Sequence, residues 1–323
     1  MSGLVLTKQE QSIQSRVAAM YGAYPFPRRT PDGVLKRNRE FLEKLERVGV
    51  RKEDIAGKRV LDAGCGTGEL ACLWASLGAK VTAIDIVRPS LEIAQRTAQA
   101  AGLDITFIEG SLLDYPLPRK AFDIVSSHMV LHHTANPAKA FDTIARSVAP
   151  GGLIFICVFG LWGRLLFCRH SLWKIRLVQW LAGKDPVKRV ALAERWFYHP
   201  GEERLHGLEK DQYLYDDYGV PQVKHHTFGE ILRWFRHNDI AYASSWTPME
   251  FRREYDRILA AQTPAQSFGG RLLRSCMRLL PASYVHSAAW ANRPGFLSRS
   301  LTQMLWMLKS DEYMFNVLGR KKA

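Results

Sequence analysis

The amino-acid sequence predicts a doubly wound α/β fold, with a mostly parallel sheet of seven strands, an antiparallel last strand and an inserted helical cap. Short β-rich apolar runs alternate along the chain with segments of helical periodicity, as they do in a parallel sheet with crossover helices. A glycine-rich turn follows the first of these runs, and an acidic residue ends the second. The 323 residues, 47% of them hydrophobic, exceed the needs of such a sheet by about a hundred residues, which predicts inserted structure.

The expected elements can be placed in order along the chain. A segment rich in aromatic residues and prolines, residues 20–29, leads into a helix expected at residues 34–48. The first five strands are expected at residues 58–62, 80–85, 104–108, 122–127 and 153–159, with helices at 68–77, 88–101 and 136–148. A helix at 227–237, a strand at 240–246 and a last strand at 313–321 complete the expected sheet.

The turn after the first strand can approach a ligand closely. Gly64, Gly66 and Gly68 stand at alternate positions, where the missing Cβ permits positive φ and close contact with a ligand. The helix that begins near Gly68 offers unpaired N–H groups. The G-x-G-x-G spacing differs from the dinucleotide fingerprint, and no Lys-Ser/Thr pair follows as in a phosphate-binding loop. The turn therefore favours a nucleoside ligand other than NAD or ATP, although a single such turn is often only a tight connection.

The second expected strand ends at Asp85, 17 positions after Gly68. A carboxylate at that place can accept hydrogen bonds from both hydroxyls of a ribose. An isolated strand-terminal Asp is also often a helix N-cap. Taken with the glycine-rich turn, Asp85 predicts a ligand site beyond the carboxyl ends of the strands, where ligands of such sheets bind.

Five motifs occur in an order that resembles the class I S-adenosylmethionine-dependent methyltransferases, particularly those acting on small molecules, lipids and quinones. The motifs are Asp62 to Gly68, Asp85, Glu109 to Pro116, Ala121 to Val125 and Ala149 to Gly152. The resemblance covers roughly residues 58–160. It implies a Rossmann-like fold, S-adenosylmethionine as the cofactor and methyl transfer as the activity.

The same resemblance implies roles for individual residues. Asp62 would orient the loop and the methionine end of the cofactor, and Asp85 would bind its ribose. Ser111 would flank the adenine, where many relatives carry an Asp, so this contact is expected to be weaker or to come from backbone. The implied cofactor-binding set is Asp62, Gly64, Cys65, Gly66, Gly68, Asp85, Ile86, Ser111, Leu112, His128 and Tyr21.

A catalytic base is expected after the fourth strand, in the run from His128 to Thr134. Methyl transfer from a sulfonium is an in-line displacement, so the protein positions the acceptor and removes its proton where needed. Histidine suits a phenol or hydroxyl near neutral pH, and His132 and His133 are the candidates. Some similar enzymes use a His in this setting as the base, whereas in others it is structural. Tyr21 would touch the sulfonium, supply a phenol to the acceptor, or only pack the N-terminal segment onto the sheet.

The segments outside the core are unevenly charged. Residues 1–150 carry 20 Lys and Arg against 16 Asp and Glu, and the remainder carries 25 against 15, so the net charge of +14 divides into +4 and +10. In the first insertion, basic residues alternate with Trp and Leu, which predicts either contact with an anionic membrane or a cap helix with a solvated basic side. The expected division is an N-terminal helical cap at 1–57, a cofactor-binding core at 58–159, an inserted cap at 160–226, a core helix and strand at 227–247, a second basic helical insertion at 248–311 and a last core strand at 312–323.

Other features narrow the location and the chemistry. Residues 1–14 are polar, without the apolar segment of a secretory signal, so a cytoplasmic protein is expected, with or without peripheral contact at the inner membrane face. Five cysteines include no C-x-x-C pair, so neither a disulfide framework nor a metal site is expected.

The sequence as a whole predicts transfer of a methyl group to oxygen or carbon of a small hydrophobic acceptor, such as a lipid, a quinone or a polyketide-like ring. Two alternatives remain open: an RNA or protein methyltransferase, and a non-catalytic cofactor-binding module that docks on a membrane or partner. Nucleic acid is disfavoured because Ser126-Ser127-His128-Met129 stands where base-amine methyltransferases resemble one another in an Asn/Asp-Pro-Pro-aromatic motif.

Overall fold

The computed structural model describes residues 6–27, 29, 31–161, 172–201, 203, 208–245 and 314–323. Within them, seven strands form one sheet in the order β3-β2-β1-β4-β5-β7-β6. The strands are β1 Arg59–Ala63, β2 Lys80–Asp85, β3 Ile105–Glu109, β4 Phe122–His128, β5 Val148–Phe159, β6 Ile240–Ser245 and β7 Met314–Lys321. Strands β1 to β5 pair in parallel, and β7 runs antiparallel to both β5 and β6, which confirms the predicted fold class.

Helices cover both faces of the sheet. The described helices are α1 Lys8–Ala23, α2 Pro31–Arg47, α3 Glu69–Ser76, α4 Arg88–Ala100, α5 Pro137–Ser147, α6 Leu172–Ala182, α7 Pro186–Phe197, α8 Lys210–Leu214 and α9 Phe228–His237. On one face, Phe41 of α2 and Trp74 of α3 pack against apolar side chains of the strands. On the other, Phe141 of α5 and Phe235 of α9 do so, and the two layers bury the sheet as a doubly wound fold requires.

Two elements differ from the sequence-based expectation. Helix α1 lies in the expected N-terminal helical cap, but its position was not predicted. Its start is capped by Thr7, whose side chain accepts from the backbone N–H of Glu10, while the Glu10 carboxylate accepts from the backbone N–H of Thr7. Strand β5 begins at Val148, earlier than the expected residue 153, because Val148 pairs with Phe122 across a register shift. The shift takes up Gly151, with φ of 74°, inside the strand rather than in a turn before it.

The part of the first insertion that the structure describes forms a cap with its own core. Helices α6 and α7 bury Val178 and Ala193 against Tyr213, Tyr215 and other apolar side chains near a π-helical turn at Tyr215–Gly219. The tyrosines of this insertion therefore pack mainly within the cap, although Tyr213 also faces a cavity. The second basic insertion, expected at 248–311, lies outside the described residues. No helix in the described ranges has the length and apolar character to cross a bilayer.

Candidate functional site

The glycine-rich turn between β1 and α3 has the backbone geometry that its sequence predicts. Gly64, Gly66 and Gly68 have φ values of 83°, 53° and 83°, in the left-handed region that side chains disfavour. A Cβ at Gly64 would collide with the Val130 side chain, and one at Gly66 with the Phe26 carbonyl oxygen. Any residue other than glycine would therefore strain the backbone of this turn, and at Gly64 and Gly66 its side chain would also collide with neighbouring atoms.

Asp85, at the end of β2, holds this turn in place. Its Oδ2 accepts from the backbone N–H of Gly66 at 2.8 Å, and its Oδ1 accepts from that of Val87 at 2.9 Å. Burial raises the pKa of this carboxyl, while the backbone hydrogen bonds oppose the rise. Because Asp85 also lines the cavity, its remaining acceptor capacity faces the space where a ligand can lie.

Asp62, on β1, is a buried carboxylate with an unsatisfied oxygen. Its side chain is 2% exposed, and Oδ2 has no hydrogen-bond partner among the described residues. Burial and the nearby Asp85 raise its pKa from the ordinary 3.8 to about 7, and Arg37 acts in the opposite direction. An acceptor left unsatisfied at the wall of a cavity costs stability and fits a cationic donor of a ligand.

We expect Asp62→Asn to stabilise the ligand-free protein at pH 8 by up to roughly 4 kcal/mol. A raised folded-state pKa means that ionisation of Asp62 costs stability as the pH rises from about 4 to about 7, so the gain should shrink as the pH falls across that window. Thermal denaturation of both proteins between pH 5 and pH 8 measures it.

Asp123→Asn is the matched control, because Arg59 lowers the pKa of that carboxyl through hydrogen bonds. It should reduce stability at pH 8. An Asp62→Asn protein that melts no higher than the unsubstituted protein at pH 8 would show that the Asp62 carboxylate is compensated in solution.

A partly buried arginine, Arg37, reaches the same place from α2. Arg37 Nη2 lies 2.9 Å from Nδ1 of His128, to whose ring it donates, and the guanidinium carbon stands 5.7 Å from the centre of the Phe41 ring. Burial and then the Arg37 charge lower the pKa of His128 well below its ordinary value, so its imidazole stays neutral. Arg37 was not among the predicted site residues, because it lies in a predicted helix where no local motif indicates a site.

The N-terminal segment crosses directly over the glycine-rich turn. The Thr67 N–H donates to the Phe26 carbonyl at 3.3 Å, and Thr67 Oγ1 donates to the Pro27 carbonyl at 2.5 Å. Arg29 Nη1 forms an ion pair with Glu69 Oε2 at 2.6 Å. These contacts place the segment between the turn and the cap, where it covers one side of the cavity.

Most of these groups line one cavity of about 470 Å³ at the carboxyl ends of the strands. Eleven of the predicted site residues line it: Tyr21, Asp62, Gly64, Cys65, Gly66, Asp85, Ile86, Ser111, Leu112, His128 and His133. Gly68 and His132 do not line it. Burial raises the pKa of the Cys65 thiol well above its ordinary value, which disfavours a thiolate there.

The two candidate bases occupy different environments. His132 is fully buried, and its ring stacks on Phe159 with centroids 3.9 Å apart. His133 faces the cavity, and its Nδ1 lies 3.2 Å from the Gln222 carbonyl oxygen, which can only accept. The hydrogen bond therefore places the proton of a neutral His133 on Nδ1 and leaves Nε2 as the basic nitrogen.

Two acids of the cap, Asp216 and Asp217, also line the cavity and were not predicted. Tyr21 Oη donates to Asp216 Oδ1 at 3.0 Å, and burial raises the Tyr21 pKa well above its ordinary value, so the phenol keeps its proton. Both acids lie far from the sequence motifs. In the sequence, the neighbouring aromatic residues, which are expected to be buried, are the one signal that could have indicated a site in this segment.

Comparisons with known proteins agree with this geometry. Residues 61–156 match a family model described as a methyltransferase domain. The chain is 30% identical over 250 residues to an uncharacterized protein of Synechococcus sp., covering 72% of this chain and 60% of that protein. It is 39% identical over 106 residues to the demethylmenaquinone methyltransferase of Thermus thermophilus, covering 32% and 48% of the two chains. It is 32% identical over 116 residues to the ubiquinone biosynthesis O-methyltransferase of Proteus mirabilis, covering 35% and 46%.

The chain thus spans 60% of the Synechococcus protein and about half of the other two relatives. Among solved structures, PKMT2 from Rickettsia typhi in complex with AdoHcy superposes with a TM-score of 0.55 at 14% identity, over 92% of this chain and 55% of that one. At such low identity this likeness shows a shared fold alone.

Proposed function

We propose, from the premise that residues 61–156 are a class I S-adenosylmethionine-dependent methyltransferase domain, that this chain transfers a methyl group from S-adenosylmethionine to oxygen or carbon of a small, largely apolar acceptor. The observation that carries the proposal is a single cavity that joins the glycine-rich turn and Asp85 to the basic nitrogen of His133. A cofactor site and a proton acceptor in one cavity are what this reaction needs.

The residues of the cavity fit the cofactor. Asp85 would bind the ribose hydroxyls, and the unsatisfied oxygen of Asp62 would accept from the amino group of the methionine end. Arg37, a partly buried cation near Asp62, would pair with the carboxylate of that end. When bound, the cofactor supplies a methyl group on a positively charged sulfur, open to in-line attack.

His133 would remove the proton of the acceptor. Its Nδ1 is engaged with the Gln222 carbonyl, so Nε2 can accept a proton within the cavity. Loss of that proton from a phenol or hydroxyl raises electron density at the oxygen and at conjugated ring carbons, either of which can attack the methyl group. This role for His133, rather than His132, follows from which of the two faces the cavity.

The walls of the cavity support an apolar acceptor. Beyond the cofactor-binding groups, the lining includes Val17, Phe26, Met129, Val130 and Leu208. Two of the relatives have names that refer to a quinone, the demethylmenaquinone methyltransferase and the ubiquinone biosynthesis O-methyltransferase. An apolar ring that carries a hydroxyl group would match these apolar side chains beside the basic Nε2 of His133.

Comparative metabolite profiling tests the function directly. Cells with and without the protein should differ in a small apolar metabolite by about 14 daltons, the mass of one CH₂, and the purified protein should transfer labelled methyl to a lipid extract. Turnover that requires RNA or a protein substrate would replace this function with the first alternative. Cofactor binding without any turnover would replace it with the second.

We also propose that the cap meets an anionic membrane surface. Helices α6 and α7 turn their buried side chains inward, yet Trp180 is 79% exposed, Trp173 53% and Trp196 47%. Residues 172–197 carry six Lys or Arg against two Asp or Glu. Exposed Trp beside basic residues suits the lipid interface, where each basic residue contributes roughly 1 kcal/mol.

We therefore expect the protein to float with anionic vesicles at low salt. With zwitterionic vesicles it should stay unbound in the bottom fraction. Replacing Trp180 and Trp196 together with Ala should weaken this partition at least about tenfold, since both side chains would lose their burial in lipid. The matched control is Tyr242→Ala, which removes an exposed aromatic side chain from β6 and should leave binding unchanged. Equal loss in both variants, or no flotation of the unsubstituted protein, would exclude this contact.

A further inference from the structure

Asp216 joins the cap to the catalytic end of the cavity. Its Oδ1 accepts from Tyr21 Oη at 3.0 Å, and the same oxygen lies 3.9 Å from Nε2 of His133. The Tyr21 and His133 rings meet edge to face with centroids 5.9 Å apart. The Asp216 and His133 side chains are 14% and 8% exposed, so water screens their charges little. Three segments distant in the sequence thus form one cluster on the cavity wall.

The π-helical turn at Tyr215–Gly219 explains why this carboxylate is held inward. Gly219 packs against the Tyr215 ring so closely that a Cβ there would lie 2.6 Å from it. Tyr215 in turn stacks on Tyr24 with centroids 3.7 Å apart and shares a hydrogen bond of 2.9 Å between the hydroxyls. Turns of this kind are rare and occur frequently at functional sites. Here the turn anchors Asp216 to the same N-terminal segment that supplies Tyr21.

We propose that Asp216 is a positioning residue for His133. This role deepens the proposed function and rests on it. The carboxylate lies on the side of His133 where Nε2 receives a proton. A neutral His133 gains little from it, but an imidazolium gains an opposite charge at ion-pair distance. Tyr21 holds the carboxylate in that place by its hydrogen bond, and the Gln222 carbonyl holds the opposite edge of the imidazole.

The proton transfer balances with the groups present. The acceptor O–H bond breaks, a new N–H bond forms at Nε2, and the released electron pair forms the bond to the methyl group as the bond from methyl to sulfur breaks. His133 becomes an imidazolium beside the Asp216 carboxylate and later returns its proton to water. Asp216 itself neither touches the acceptor nor changes protonation.

Other charged groups surround this pair. Tyr21 and His132 adjoin His133, and Asp217 and Asp85 both interact with Tyr21. Lys224 donates through Nζ to the Ala135 carbonyl nearby. The charges of Asp85 and Asp217 favour an imidazolium at His133, and the charge of Lys224 opposes it. Asp216 is the carboxylate at ion-pair distance from Nε2 of His133.

Asp216→Asn tests the role, because an amide oxygen can still accept from Tyr21 while the charge is lost. NMR titration of the imidazole signals of the full chain should show His133 losing its proton at lower pH than in the unsubstituted protein. With S-adenosylmethionine and tert-butylcatechol, a small apolar phenol, kcat should fall about 10- to 100-fold, since the base is weaker. The acid limb of the pH profile should move to lower pH, and KM should change less than about twofold.

Asp211→Asn is the matched control, since it removes an exposed charge from the same part of the cap and should leave both titration and rate unchanged. Asp216→Glu should recover most of the lost activity. An unchanged His133 titration in Asp216→Asn would overturn the proposal, as would equal losses in the Asn and Glu variants. The NMR titration needs no turnover, so failure of tert-butylcatechol as an acceptor would count against the proposed function and leave the test of Asp216 standing.

Discussion

Replacing Asp85 with Ala should weaken S-adenosylmethionine binding by at least about 100-fold. The carboxylate is expected to accept from the ribose, and hydrogen bonds to a charged group are worth roughly 1.5–3 kcal/mol each. The substitution also removes the acceptors that hold the N–H groups of Gly66 and Val87, so the glycine-rich turn loses part of its preorganisation. Isothermal titration calorimetry on the folded variant measures the change in affinity.

Glu109→Gln is the matched control for Asp85. Glu109 ends the neighbouring strand β3 and is paired with Asp85 in register, but it forms an exposed ion pair with Arg88 and does not line the cavity. This variant should keep its affinity within about twofold. Unchanged cofactor affinity in Asp85→Ala would show that the nucleoside binds elsewhere, and the assignment of the cavity would then be lost.

Replacing His133 with Asn should lower kcat by about a hundred- to ten-thousand-fold, the usual range for removal of a general base. The Asn amide can keep the hydrogen bond to the Gln222 carbonyl, while the basic Nε2 disappears. Cofactor affinity should change little, because His133 lies at the acceptor side of the proposed arrangement. Single-turnover rates with labelled cofactor separate this loss from any change in binding or product release.

His132→Phe is the companion to that experiment. His132 stacks on Phe159 away from the cavity, so a Phe at this position should keep the ring packing and most of the activity. If His132→Phe lost most of its activity while His133→Asn stayed nearly active, the role of the base would have to be assigned again.

The sheet and the cofactor-binding motifs could be predicted because they depend on residues close together in sequence. Apolar runs of strand length mark β1 to β4 within one or two residues, and alternate glycines mark the turn after β1. Asp62, Asp85 and Ser111 follow, because the carboxyl ends of parallel strands meet at one edge of the sheet. The start of β5 was misplaced because pairing with Phe122 extends it, and such pairing is not visible locally.

By itself, the sequence determined the fold class and the order of the motifs, since each depends on periodicity and on residue types at short spacing. The class of cofactor was implied by the resemblance that those motifs carry. Tertiary structure alone decided which of two adjacent histidines faces the cavity, and it alone showed that Arg37 and Asp216 line that space. Tyr21 and Asp216 are 195 positions apart in the chain, so their contact depends on how the cap packs against the N-terminal helix. The free energy of that packing comes from burying side chains of both segments together, and no short stretch of sequence carries a sign of it.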